Sequence, residues 1–261
     1  MIQDVGVADL TPGRPTRRPR RGGIRVLPLL CACSVIAPPA NAEWTVAALL
    51  GAAQTTRSSL ILEQPPTLLS LVLAPIDYQG ASFESPIYYA VRIAHVFGFA
   101  PMLSIEGEFI HMKVFAETTR RVSARGTLHG VSVDGPVVLA DVVQRFSLSH
   151  GLNMVLGNVA VSRRFGQDRV SPFLKVAARG GVGPTVPHAE STVRGRSREG
   201  YELGALAFQG STGIEVRVTK RVYAVGDYKF TRTRQRVGIA DGQAETLIST
   251  HHLVFGAGFR F

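Results

Sequence analysis

Cysteine is almost missing: two residues in 261, Cys31 and Cys33, both close to the N-terminus. Charge is also scarce, at 18% of residues against roughly 25% in an ordinary soluble domain. Beyond the N-terminal segment there is no run of 18 or more clean apolar residues, which excludes a bundle of membrane-spanning helices. No G-x-S-x-G, H-E-x-x-H or P-loop motif occurs, so none of the familiar hydrolase, metalloprotease or nucleotide signatures applies. Low charge does not mean disorder, because 45% of the chain is apolar. What is present is a Gly-rich sequence (27 glycines) with dispersed apolar residues. That combination points to strands.

The first 42 residues read as an address. Arg14, Arg17, Arg18, Arg20, Arg21 and Arg25 precede a short apolar run, Val26 to Ile36, and then Ala40-Asn41-Ala42. A basic region, a short apolar region and an A-x-A site make a cleaved secretory signal. Arg17-Arg18 lacks the apolar follow-up of a twin-arginine signal, since Pro19 and Arg20 come next. Leu30 to Cys33 resembles a lipidation box, but the residues after Cys33 stay apolar. Cleavage removes six arginines and two aspartates, which lowers the formal charge from +10 to +6. It removes both cysteines too, avoiding stray disulfides in an oxidising compartment.

From Glu43 onward the hydrophobic period is two, the mark of strands. In the last segment Leu253, Phe255, Ala257, Phe259 and Phe261 share one face, and Val254, Gly256, Gly258 and Arg260 the other. Elsewhere Glu106 and Glu108 oppose Ile105 and Phe109, Lys175 and Arg179 oppose Leu174 and Val176, and Asp227 and Lys229 oppose Tyr228 and Phe230. A soluble ligand-carrying barrel would bury the large residues. A barrel in lipid turns them outward and lines its lumen with small and polar ones. The sequence therefore predicts Arg92, Lys175, Arg179, Arg217, Lys229 and Arg260 paired inside with Glu106, Glu108, Glu215 and Asp227, since an unpaired buried charge is costly.

Eight strands are expected, about 44–54, 86–96, 102–115, 152–164, 172–182, 203–218, 221–231 and 251–261. Short connections (97–101, 165–171, 219–220) alternate with long ones (55–85, 116–151, 183–202, 232–250). This is the turn-and-loop pattern of an all-β, eight-stranded antiparallel up-and-down outer-membrane barrel. Leu68–Ala74, in the first long loop, reads either as an extra strand or as an extension of the second. Closure removes edges that lipid could not satisfy. The expected form is a monomer that meets the barrel assembly machinery through Phe261. An interior of eight strands is filled by side chains, which argues against a pore.

Three long loops each carry an arginine triplet: Arg120, Arg121 and Arg125; Arg194, Arg196 and Arg198; Arg232, Arg234 and Arg236. Guanidinium forks match phosphate, and the leaflet facing these loops is lipopolysaccharide. The expected partner is thus a lipid headgroup. Nucleic acid is not expected, because no stacking aromatics accompany the arginines. The candidate chemical cluster is Glu106-Gly-Glu-Phe-Ile-His-Met-Lys113, with Glu106 and Glu108 on one face and His111 on the other. Salt bridges within the lumen are the competing use for the two glutamates. Ser149-His150, His188 and His251-His252 fall at the same barrel end. Adjacent Ser149 and His150 point to opposite faces in a regular strand, which disfavours a hydrolase dyad. Imidazole with carboxylate suits a divalent transition metal.

Several segments together resemble a family of small alphaproteobacterial outer-membrane barrels that includes lipid A oxidase: Tyr78 to Arg92, Ile105 to Val114, Ser149 to Asn153, Pro172 to His188, and Asp227 to Phe230. The resemblance implies oxygen-dependent oxidation of the proximal glucosamine of lipid A. It marks Glu106, Glu108, His111, Lys113 and His188 as family-like candidates for a catalytic site. The other reading is a structural or adhesive barrel whose basic loops bind lipopolysaccharide or a surface partner.

Overall fold

The computed structural model describes residues 43–166 and 173–261. The expected signal, 1–42, and most of the expected 165–171 turn lie outside these. Fourteen strands run in chain order: β1 (Glu43–Thr55), β2 (Ser58–Gln64), β3 (Leu69–Ile76), β4 (Tyr78–Gln79), β5 (Tyr89–Phe97), β6 (Ala100–Ala116), β7 (Arg121–Leu128), β8 (Val131–Val138), β9 (Val143–Phe165), β10 (Leu174–Val193), β11 (Arg196–Tyr201), β12 (Leu206–Arg217), β13 (Val222–Ile239) and β14 (Gly242–Arg260). One helical turn, α1 (Leu139–Val142), separates β8 from β9. Eight strands form an antiparallel ring in the order β1-β5-β6-β9-β10-β12-β13-β14, closed by β14 on β1. The chain end is held on both sides, Arg260 N donating to Arg221 O and Phe261 N to Trp44 O.

The ring's polarity follows the alternation. Leu253, Phe255, Val159, Val161, Phe208 and Ile214 face outward and are exposed, while the residues between them are covered. Only lipid makes that arrangement favourable. Aromatics mark both ends of the apolar belt. Trp44, Phe97, Phe99, Phe259 and Phe261 sit beside the short turns; Tyr89, Tyr228, Phe230 and His251 sit towards the long loops. Tyr89 to Phe97 and His251 to Phe259 are each nine residues, eight steps along the strand. At ~3.4 Å per residue and ~40° tilt this gives about 21 Å of height, close to the ~25 Å of an outer-membrane apolar band. The protein is an outer-membrane β-barrel.

Two glycines make room for the lumen's polar side chains. The Asp227 carboxylate lies across Gly213, and the Asn158 amide across Gly181, each where a Cβ would stand. Replacing Gly213 with Val should cost about 1–3 kcal/mol by overpacking. It would be read as a lower urea midpoint for the folded band on unheated gels; an unchanged midpoint would refute the close approach.

The long connections are where the structure departs from the expected loops. β2, β3, β7 and β8 form an outer sheet that continues the barrel wall from the upper half of β14, in the order β14-β2-β3-β7-β8. β11 folds back on β10, and β4 pairs with β6. The Leu68–Ala74 stretch is therefore a separate strand, β3, beginning at Leu69 after the turn residue Leu68 and running on to Ile76. The outer strands pair because their inward faces are apolar: Leu60, Leu62, Leu69, Leu71, Leu73, Val122 and Ala124 are all buried. They pack in one core with Ile110, Met112, Leu148, Leu152, Val237 and Ile248 from the extended ring strands. The interior thus has two storeys, polar within the membrane and apolar above it. At the sheet's free edge, β8 carries Asp134, Gly135 and Pro136, residues that discourage further strand addition.

Candidate functional site

Inside the membrane storey, four cations meet four anions. Arg92 Nη1 donates to Asp227 Oδ2 at 2.5 Å and Arg179 Nε to Glu106 Oε2 at 2.8 Å. Arg179 also reaches Glu215 at 3.3 Å and Asp227 at 3.4 Å. Lys175 bonds Glu215 at 3.1 Å, and Lys229 bonds Glu108. Gln209 donates to the second oxygen of Glu108 at 2.8 Å. The groups balance in charge and are almost wholly buried. Most of the expected lumen pairing is present, with one correction: Arg260 pairs with Glu43 near the short-turn end, away from the central acids. Arg217 lies over the Phe173 ring at 4.7 Å.

The five candidate catalytic residues do not form one cluster. Glu106 and Glu108 face inward and are bonded into the lumen network. His111 and Lys113 face the other way, as strict alternation requires. His111 stacks on Tyr89 at 5.0 Å and its Nδ1 meets Asn153 Oδ1 at 2.8 Å. Lys113 Nζ donates to the Glu84 carbonyl at 3.0 Å. Both are buried, Lys113 beneath the segment before β5 and His111 against Tyr89 of β5 itself. His188 lies in another group, on β10.

That group exists because β9 bulges. Between the pairs Met112–Leu152 and Val114–Leu148, three residues of β9 oppose one of β6. The register against β10 shifts at the same place, between Pro187 and Glu190. Gly151, at φ +116°, takes the backbone into a region open chiefly to glycine. A bulge re-aims side chains. Here it brings Ser149 and His150 together, against the expectation from regular alternation. Ser149 Oγ is 3.3 Å from His150 Nδ1, and both bond Glu190 Oε1, the histidine at 2.8 Å. The imidazole nitrogen facing Ser149 is the one that faces Glu190. One nitrogen cannot relay a proton between the two, so this is not a hydrolase dyad. His188 packs edge-on to His150 at 4.6 Å and to Tyr201 at 4.4 Å. Glu190 was not visible as a site residue in the sequence, because the bulge that brings the histidines to it leaves no periodic signal. Beside it a cavity of about 260 Å³ is lined by Arg145, Ser191, Thr192, Ser197, Arg198 and Glu199.

The arginine triplets differ from one another. On β13, Arg232, Arg234 and Arg236 alternate with buried Thr233, Gln235 and Val237, and so rise along the outer wall directly above Tyr228 and Phe230. Arg234 and Arg236 both bond Glu245 of β14, at 2.8 and 2.9 Å. Arg232 has no acidic partner among the described residues. Arg196 pairs with Asp241 and Arg198 with Glu202. Arg194 takes the turn position at φ +52°, and its N–H bonds Val142 O. Arg120 pairs with Asp77 at 3.4 Å and Arg125 with Asp134 at 3.7 Å. Arg121 is exposed at the start of β7. Only the β13 triplet forms a straight outward row. The hydrogen bonds from Arg234 and Arg236 hold the Glu245 carboxyl below the usual carboxylate range. The pairing therefore persists through mildly acidic pH and is lost only as pH falls through that lowered value.

No family model matches the chain, and no curated protein matches it. Solved outer-membrane proteins of similar shape include OprG from Pseudomonas aeruginosa, 9% identical over 85% of this chain and 97% of that one, with a TM-score of 0.41. AlkL in lipid bilayers is 13% identical over 86% and 92%, with a TM-score of 0.37. Ail, the attachment invasion locus protein of Yersinia pestis, is 10% identical over 84% and 97%, with a TM-score of 0.32.

Proposed function

We propose that this outer-membrane barrel binds lipopolysaccharide through the phosphates of its lipid A headgroup, along the outer wall. The observation that carries this reading is the row of Arg232, Arg234 and Arg236, exposed directly above the Tyr228–Phe230 aromatic level. Phosphates of the outer leaflet lie at that height. The resident partner of two of these arginines, Glu245, is no obstacle. Exposed ion pairs are worth about 0–1 kcal/mol, whereas charge-assisted hydrogen bonds to phosphate are short and bidentate. Replacing the three arginines by Ser should weaken binding to lipopolysaccharide vesicles at least ~10-fold, a loss of about 1.4 kcal/mol, and flatten its salt dependence. Glu245→Gln should act in the opposite sense and tighten binding, because it frees Arg234 and Arg236. Equal binding by all three proteins would end the proposal.

A second reading, oxidation of the lipid A proximal glucosamine, has one support. His111, Lys113 and His188 point away from the lumen, to the side where such a substrate sits, with His111 and Lys113 buried beneath the surface there. Glu106 and Glu108 have no part in it, being committed to Lys229, Gln209 and Arg179. The mass spectrum of lipid A from deletion and complemented strains decides. A gain of one oxygen that disappears with His111→Ala supports the oxidase; identical spectra reject it.

A further inference from the structure

We infer that His150, His188 and Glu190 form a divalent transition-metal site, of the zinc class, on the outer wall of the barrel. This goes beyond the headgroup reading and does not depend on it. One donor atom from each residue lies within 4.8 Å of the others. Around Glu190 Oε1 the separations are 2.8 Å to His150 Nδ1 and 3.7 Å to His188 Nδ1. Tetrahedral ligands at zinc's ~2.0–2.1 Å bond lengths sit roughly 3.3 Å apart, between these two values. The third separation, between the two imidazole nitrogens, is no more than 4.8 Å, so small rotations of the two rings towards one another would seat an ion.

A plain His150–Glu190 ion pair would account for two of the three residues but leaves His188 unexplained. His188 Nδ1 is buried and has no hydrogen-bond partner. A buried polar atom left without a partner is destabilising, and this one lies 3.7 Å from Glu190 Oε1. A metal ion removes the deficit. The surroundings are those of a ligand set. Arg145 bonds Glu190 Oε2 and Ser149 donates to Oε1, so the carboxylate is oriented by two neighbours. Tyr201 packs against the His188 ring. Orientation of ligands by such neighbours is general in metal sites. His150 is the exposed member, its side chain 63% accessible, so ions enter from outside and the remaining coordination position opens outward. Two imidazoles and one carboxylate are the donors used by zinc and by Fe(II) with open positions.

The test uses the folded barrel in detergent, with Zn2+ followed by calorimetry and Co2+ by its visible absorption. The proposal expects one tight equivalent of Zn2+, displacement of Co2+ by Zn2+, and tetrahedral Co2+ bands. In His150→Ala and in His188→Ala the affinity should fall at least ~10-fold. Because His150 is exposed, its variant keeps the heat-modifiable folded band and decides the matter even where His188→Ala folds poorly. Absence of uptake by the unaltered protein, or uptake that His150→Ala leaves unchanged, would overturn the site.

Discussion

Replacing Glu108 by Ala is expected to lower the unfolding free energy of the barrel by about 3–5 kcal/mol, the cost of stranding one member of a buried ion pair. The strand register permits a sharper version of the experiment. Glu108 and Lys229 are both fully buried and bonded to one another. Removing both leaves Arg92, Lys175 and Arg179 facing Glu106, Glu215 and Asp227, still balanced. Gln209 Nε2 keeps its 3.1 Å bond to Asn158 Oδ1. The double variant Glu108→Leu/Lys229→Met should therefore recover most of the loss, as hydrophobic replacement of a whole buried pair does elsewhere. Trp44, the single tryptophan, stands half-exposed at the end of the ring where the short turns lie and reports membrane insertion during urea titration. A Glu108→Ala protein as stable as the original would mean that the lumen is wet enough to solvate Lys229.

The second large effect is confined to the outer storey. Leu73 is fully buried in β3, opposite Leu60 of β2 and Ala124 of β7. Truncating it to Ala should destabilise its surroundings by about 2–5 kcal/mol. The outer sheet joins the ring's β14 through only four residue pairs, Leu60–Thr246 to Glu63–Gln243, so it has its own opening equilibrium. Leu73→Ala should make trypsin cut after Arg121 and Arg125 many times faster on intact cells, while the ring keeps its heat-modifiable band. Cleavage at the original rate would show that the outer sheet does not depend on this core. Loss of the folded band would show that the two storeys unfold together.

How much of this was visible in the sequence depends on what enforces each feature. All eight ring strands were legible in their lower parts, because lipid on one side and a closed lumen on the other impose a sign on every residue there; the upward extensions of β9, β10, β13 and β14 into the expected loops were not. Leu253, Phe255 and Phe259 had to alternate with small or polar positions, and they do. Of the outer sheet only β3 was partly legible, as the stretch Leu68–Ala74 that read as an extra strand or an extension. The sheet's strands are short, their outer faces meet water, and turns at Leu68 and His129 break the period, so the sheet as a whole looked like loop. The outward arginine row of β13 was legible as a spacing of two. Which acid each arginine meets was not.

The sequence by itself determined that the chain forms a barrel of alternating strands with charged residues inside, since period-two alternation needs no knowledge of neighbours. Only the tertiary structure decided who meets whom. Arg92 and Asp227 are 135 residues apart and come together across the lumen because ring closure and register set both. The bulge at Ser149–Gly151 likewise brings His150 to Glu190, 40 residues on, and a one-place slip in register turns a side chain to the other face. Alternation is a local property of the backbone; partnership is a property of the closed ring.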